Sequence, residues 1–349
     1  MKPSEKSNKV SADHSFMGHR LLQQLAQEFD RFHANPEAFQ PQRLEELTRS
    51  FFGELGTILQ KSKTLQELKK NWEEPQGPSW GQWIRKSLQL VRGHEVDDYG
   101  LDREFELQIK PFFDFLFQKY FRVQVKGLEH IPAEGRRLVV SNHSGVLPYD
   151  AAMLKVALFN EHPAKRELRF LVDDFVFHFP FLGVVMNRIG GVRACPENAE
   201  RLLNAEEMIA VFPEGIKGIG KKFSDRYRLQ RFGRGGVIRL AFKTRSPITP
   251  VAVIGAEEIH PLLYKSTMLA RPLGLPFIPI TPTFPWLGPL GMIPLPTQWS
   301  IQFGPSLSFE GISAKDVNDG ILINRETEKL RATIQTMITE ELKNRRSVF

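Results

Sequence analysis

Thiol chemistry is nearly absent from this chain: of 349 residues only Cys195 is a cysteine. One cysteine cannot build a disulfide framework and fits a reducing compartment. Cys195 lies beside Pro196 in an expected loop with no histidine neighbouring it in sequence, so it is not read as a nucleophile. An uninterrupted apolar run is also missing. The longest uncharged stretch, Pro272 to Phe309, is long enough to cross a bilayer, but Pro272, Pro276, Pro279, Pro282, Pro285, Pro289, Pro294 and Pro296 break it every few residues. Such a segment forms no continuous helix. Met1 to Gly18 is polar and lacks the apolar core of a secretory signal. The expectation is a cytoplasmic protein that meets membrane, where it does, from one face. Acidic residues are scarce in one place: Lys217, Lys221, Lys222, Arg226, Arg228, Arg231, Arg234, Arg239, Lys243 and Arg245 are opposed only by Asp225. That imbalance points to an anionic partner. No zinc, recognition-helix or ribonucleoprotein signature accompanies it, so no nucleic acid is expected.

What is present is the composition of a globular protein, 41% hydrophobic and 25% charged, with a net charge of +7. The first fourteen residues read as a disordered tail. Apolar positions at helical spacing then predict helices from Phe16 to about Phe32, Arg43 to Lys61, Leu65 to Trp72, Trp80 to Val91 and Phe105 to Tyr120. From Phe121 the pattern changes to strand and helix in alternation. Strands are expected at Leu138, Leu168 to Val172, Met208 to Phe212, Pro247 to Ala252 and Trp299 to Phe303. Helices are expected at Ala151 to Phe159, Glu197 to Met208 and Glu326 to Lys343. That alternation predicts an α/β fold with a mainly parallel sheet flanked by helices.

Two strand ends carry the chemistry. Leu138-Val139-Val140 delivers Ser141, Asn142 and His143 to its C-terminal end, and the loop Ser144 to Tyr149 brings Asp150 to the head of the next helix. A carboxylate there fixes an imidazole tautomer and stabilises the imidazolium once the other nitrogen takes a proton. The second strand ends in Phe212-Pro213-Glu214-Gly215, where Pro213 stops the ladder and Gly215 permits positive φ.

Two other motifs compete. Gly77-Pro78-Ser79-Trp80-Gly81 satisfies G-x-S-x-G, but no apolar strand precedes it. Gly215 to Lys222 nearly spells a phosphate-binding loop, yet lacks the Ser or Thr after its lysine.

Asn142, His143 and Asp150, followed by Phe212-Pro213-Glu214-Gly215 and by the proline-led strand Pro247 to Ala252, resemble the blocks of the glycerolipid acyltransferases in order and spacing. The family includes lysophospholipid acyltransferases and a diacylglycerol-acyltransferase-like branch, which carries the longer His-to-Asp spacing seen here. The resemblance covers roughly residues 125 to 310. It implies an α/β acyltransferase domain over 121–349 behind an N-terminal helical region over 15–120. It also implies a donor that is an acyl thioester of coenzyme A or acyl carrier protein, an acceptor that is a lysophospholipid or a neutral glycerolipid, and no metal or bound cofactor. His143 would be the general base and Asp150 its partner. Glu214 and Gly215, with Phe212 and Pro213, would form the acceptor site. Three departures stand out. Six residues rather than four separate His143 from Asp150. Pro196 falls where the second block has its arginine, which leaves Arg188 or Arg193 to take that place. Lys217 replaces an arginine in the third block, keeping the charge without the bidentate fork. The implied protein is peripheral, on the anionic inner face of a membrane. The rival reading is a non-catalytic lipid-binding protein of the same fold.

Overall fold

In the computed structural model the described residues are 95–349 without 146, 178–181, 269, 271–274, 310 and 312–315, together with isolated helical positions between 24 and 53. The tail expected over 1–14, the G-x-S-x-G at 77–81 and nearly all of the helices expected before residue 95 therefore lie outside them.

Asp102 opens helix α1 (Arg103–Phe115), its carboxylate accepting from Phe105 N at 2.9 Å. One π-helical turn (Leu116–Tyr120) leads to β1 (Gln124–Lys126). The apolar run at 138–140 becomes β2 (Arg137–Ser141), buried throughout, and α2 (Tyr149–Glu161) follows. Next come β3 (Arg169–Val172), α3 (Asp174–Phe177), α4 (Leu182–Arg188), β4 (Gly191–Arg193), α5 (Pro196–Asn204) and β5 (Met208–Val211). A four-residue helix α6 (Ile216–Ile219), then α7 (Gly236–Thr244) and the fully buried β6 (Ile248–Ile254) complete the part that carries the motifs. Strands β7 (Tyr264–Ser266) and β8 (Ile278–Ile280) pair with each other; β9 (Ser300–Phe303) rejoins the main sheet and α8 (Gly320–Asn344) closes the chain.

The main sheet runs β1-β9-β6-β2-β5-β3-β4. Its five strands from β6 to β4 are mutually parallel, β9 is antiparallel to β6, and β1 runs parallel to β9. This is the mainly parallel α/β sheet that the alternation predicts. Successive residues of β2 face opposite sides. Val139 packs with Met153 of α2, Phe105 and Ile109 of α1, Phe121 and Trp299. Leu138 and Val140 pack on the other face with Leu203 of α5, Ile238 and Phe242 of α7 and Ile334 of α8. Helices thus cover both faces.

Some expectations change in detail. Helix α8 starts at Gly320, ahead of the expected Glu326, because Asp319 accepts from Ile321 N and Leu322 N at 2.9 and 3.1 Å and caps an earlier turn. In the proline-rich run Phe277 is buried as cover, whereas Trp286 (64%), Leu287 and Leu290 (67%) are exposed.

Candidate active site

Strand register brings the two motifs together. Val140 of β2 is opposite Val211 of β5, and the same offset of 71 residues continues past both strand ends, where His143 N donates to Glu214 Oε1 at 2.9 Å. Neighbouring parallel strands end at one sheet edge, the usual place for chemistry in open α/β folds. Asn142 anchors this end of β2: its amide donates to Val253 O at 2.9 Å and accepts from Val253 N at 2.8 Å, extending the pairing with β6 by one side chain.

His143 Nδ1 lies 2.7 Å from Asp150 Oδ2. The same oxygen accepts from Ser144 N at 3.0 Å, and Oδ1 accepts from Ala151 N at 2.8 Å. Asp150 is fully buried, so its charge is carried by these donors and by the first turn of α2. With Nδ1 donating to the carboxylate, Nε2 is the ring nitrogen available to a substrate, and it has no hydrogen-bond partner among the described residues. The imidazole is one-fifth exposed and stacks on Phe212, with ring centroids 4.7 Å apart.

Beneath the histidine, Glu214 is a structural hub. Its Oε2 accepts from Gln230 N at 2.7 Å and lies 3.2 Å from Lys221 Nζ, which also reaches Glu257 Oε1 at 2.8 Å. Burial works against the Lys221 ammonium, but Glu257 and Glu214 outweigh it and hold its pKa above the ordinary lysine value. The near phosphate-binding loop seen in the sequence is thereby answered, since its lysine is spent in a buried ion pair. Gly215 adopts φ +55° and ψ −144°, a backbone region that side chains avoid. Gly218 is needed for space: a Cβ there would lie 2.9 Å from His143 Cβ and 2.8 Å from Glu214 Cβ.

On the other side of Glu214 an open basin of about 730 Å³ is lined by Pro213, Glu214, Lys217, Arg231, Arg234 and Arg239, with Asp173 at its wall. Lys217 and Glu214 thus line the same basin. Arg188 and Arg193 do not line this basin. Arg188 lies 3.8 Å from Asp102 and over the Phe105 ring, and Arg193 pairs with Asp174 at 2.6 and 2.7 Å. No cluster of three potential metal ligands occurs among the described residues.

A family model described as Acyltransferase matches residues 122–254, the segment that holds both motifs and the strands presenting them. An uncharacterized protein of Mycobacterium tuberculosis is 47% identical over 261 residues, covering 74% of this chain and 73% of that one. The 1-acyl-sn-glycerol-3-phosphate acyltransferase alpha of Homo sapiens is 28% identical over 175 residues, 49% of this chain and 56% of that protein. This chain belongs to the glycerolipid acyltransferase family. A bovine (Bos taurus) protein described as a DGAT1/2-independent enzyme synthesizing storage lipids is 22% identical over 233 residues, 64% of this chain and 66% of that one. The crystal structure of the 1-acyl-sn-glycerophosphate acyltransferase PlsC from Thermotoga maritima, 19% identical, aligns with a TM-score of 0.45 over 70% of this chain and 84% of that chain.

Gly218, Gln230 and Glu257, and the pairing of Lys221 with two buried carboxylates, are not evident from the sequence. Gly218 carried a signal, since a glycine-rich turn directly after a motif strand announces close backbone approach. Lys221 and Glu257 carried none, because they are 36 residues apart and meet only through the fold.

Proposed function

We propose that this acyltransferase moves a fatty acyl group from an acyl thioester to a hydroxyl of a lysophospholipid or related glycerolipid. The observation that carries this reading is the buried Asp150 carboxylate 2.7 Å from His143 Nδ1, which leaves Nε2 of the partly exposed imidazole as the nitrogen for a substrate. His143 Nε2 takes the proton of the acceptor hydroxyl as its oxygen attacks the thioester carbonyl, and Asp150 holds the tautomer and stabilises the imidazolium. General base assistance of this kind is typically worth ~10²–10⁴ in rate. As the tetrahedral intermediate collapses, the C–S bond breaks and the imidazolium returns its proton to the departing thiolate. Glu214 holds the histidine loop through the His143 amide, and Lys217 is placed to meet an acceptor phosphate.

A neutral acceptor such as diacylglycerol is the second reading. It is favoured by lysine rather than arginine at position 217 and by the likeness to the bovine protein described as synthesizing storage lipids. In either case the lipid is met at a membrane surface. No described helix is long and apolar enough to cross a membrane, and the exposed Trp286, Leu287, Leu290 and Ile293 give the protein an apolar contact from one side.

The test incubates wild type and His143→Ala with acyl-CoA or an acyl carrier protein thioester and a panel of lysophospholipids and diacylglycerol, following new lipid by mass spectrometry. Product from wild type alone supports the reading and names the acceptor. Equal product from both proteins removes His143 from its role, and no product from any pairing leaves a lipid-binding protein.

A further inference from the structure

The His143 turn is held from two sides, and both supports come from β6 and its continuation. On one side the Asn142 side chain is bonded to both backbone groups of Val253. On the other, a little further along the chain, Glu257 reaches the same turn through two intermediaries. Its Oε1 accepts from Lys221 Nζ at 2.8 Å, Lys221 Nζ lies 3.2 Å from Glu214 Oε2, and Glu214 Oε1 accepts from His143 N at 2.9 Å. All three side chains of this relay are buried. The two carboxylates also share a strap: Glu257 Oε2 accepts from Tyr227 N at 2.9 Å, and Glu214 Oε2 accepts from Gln230 N at 2.7 Å. Tyr227 is held there at φ +65°, a region that residues other than glycine rarely enter. Strain of that kind persists only where the surroundings enforce it, and it gathers at functional sites.

We propose that Glu257 is a positioning residue for acyl transfer, fixing through Lys221 the Glu214 carboxylate that sets the His143 backbone and, with it, the aim of the imidazole. This inference rests on the reading of His143 as general base. Stability alone does not account for the arrangement. One cation between two buried carboxylates leaves an excess of negative charge, and an apolar trio of similar volume would be as stable or more so. What such a trio lacks is an acceptor for the His143 amide. An acceptor free to tilt would let the ring drift from Asp150, and Lys221, itself anchored on Glu257, removes that freedom. A misplacement of about 1 Å caused far from the reacting atoms is enough to cost about a hundredfold in rate. Glu214 accordingly works inward, on the histidine, rather than outward on a bound acceptor.

Steady-state kinetics and NMR on Glu257→Gln are the test. Glutamine keeps the size and can still accept from Tyr227 N, but its neutral amide no longer anchors Lys221. The kcat is expected to fall about tenfold to a hundredfold with the KM for donor and acceptor unchanged, and Glu257→Asp, which keeps the charge, to recover part. In histidine-labelled protein without substrate, the Nδ1 proton signal of His143, assigned by its absence from His143→Ala, should shift or broaden in Glu257→Gln. The double variant Lys221→Met, Glu257→Gln removes one charge of each sign and separates positioning from stability. Its unfolding midpoint should lie above that of Lys221→Met while its kcat stays low. A wild-type kcat and an unmoved His143 signal in Glu257→Gln overturn the proposal. So does a kcat that returns with stability in the double variant, or an acceptor KM that rises while kcat holds, which would turn Glu214 toward the acceptor. Because the NMR readout needs no turnover, failure of acyl transfer itself would be seen separately.

Discussion

Two glycines in one turn do different work. Around Gly215 there is nothing within 4 Å of the place a Cβ would take, but the residue holds φ +55°, so Gly215→Ala meets strain in the backbone alone, of about 1–3 kcal/mol. Gly218→Ala instead pushes against His143 and Glu214. Its stability cost is about 1–3 kcal/mol, and the larger effect should be on turnover, since the collision displaces the imidazole relative to Asp150. The expected result is a kcat lower by at least about tenfold, more than Gly215→Ala gives at matched stability, read by steady-state kinetics. Lys221 offers a sharper test. Lys221→Met leaves Glu214 and Glu257 buried without their cation and is expected to lower stability by about 3–5 kcal/mol, with Lys221→Arg recovering part. Because the folded pKa of Lys221 is above its ordinary value of 10.5, its contribution is complete below that value and is lost as pH rises through the raised one. Urea unfolding followed upward past 10.5 should show wild type losing stability that Lys221→Met never had.

At the scale of elements, helix α8 shows how a cap sets a boundary. Asp319→Ala removes the acceptor for Ile321 N and Leu322 N and is expected to cost about 1 kcal/mol, measured as a shift in denaturant midpoint with activity retained. The basic stretch 217–245 shows what one-dimensional charge counting cannot see. In sequence only Asp225 opposes its ten bases. In the fold Lys221 is neutralised by Glu214 and Glu257, Lys243 by Glu200, and Arg226 approaches Glu258 at 4.0 Å over the Phe223 ring. Lys217, Arg231, Arg234 and Arg239, which have no ion pair among the described residues, line one basin, so the surviving charge is more local than the sequence suggests. The second-block arginine is a related case. Spacing allows either Arg188 or Arg193, but α4 directs Arg188 to the cap of α1, and β4 leaves Arg193 exposed against Asp174.

For the whole molecule, the loop that follows β8 matters most. Phe277 fixes its base in the core, while Trp286, Leu287, Leu290 and Ile293 stay exposed. Trp286→Ser with Leu290→Ser should weaken cosedimentation with anionic vesicles while leaving turnover of a detergent-dispersed acceptor close to wild type. Raising salt should weaken binding of both proteins, because screening acts on the basic residues in either. Loss of vesicle binding and turnover together would instead place the loop in the active site.

The sequence by itself determined the alternation of strands and helices, the placement of His143 and Glu214 at strand ends and of Asp150 at the head of a helix, and the family. These follow from local rules, namely side-chain periodicity, turn residues and short motifs, which act over a few residues. Tertiary structure alone decided that His143 meets Glu214 across a 71-residue offset, that Lys221 is a buried counter-ion and not an anion ligand, and that Arg231, Arg234 and Arg239 share one basin. The physical reason is that charge pairing and burial depend on distance in space. Register between β2 and β5, and the packing of α7 against their sheet, set those distances.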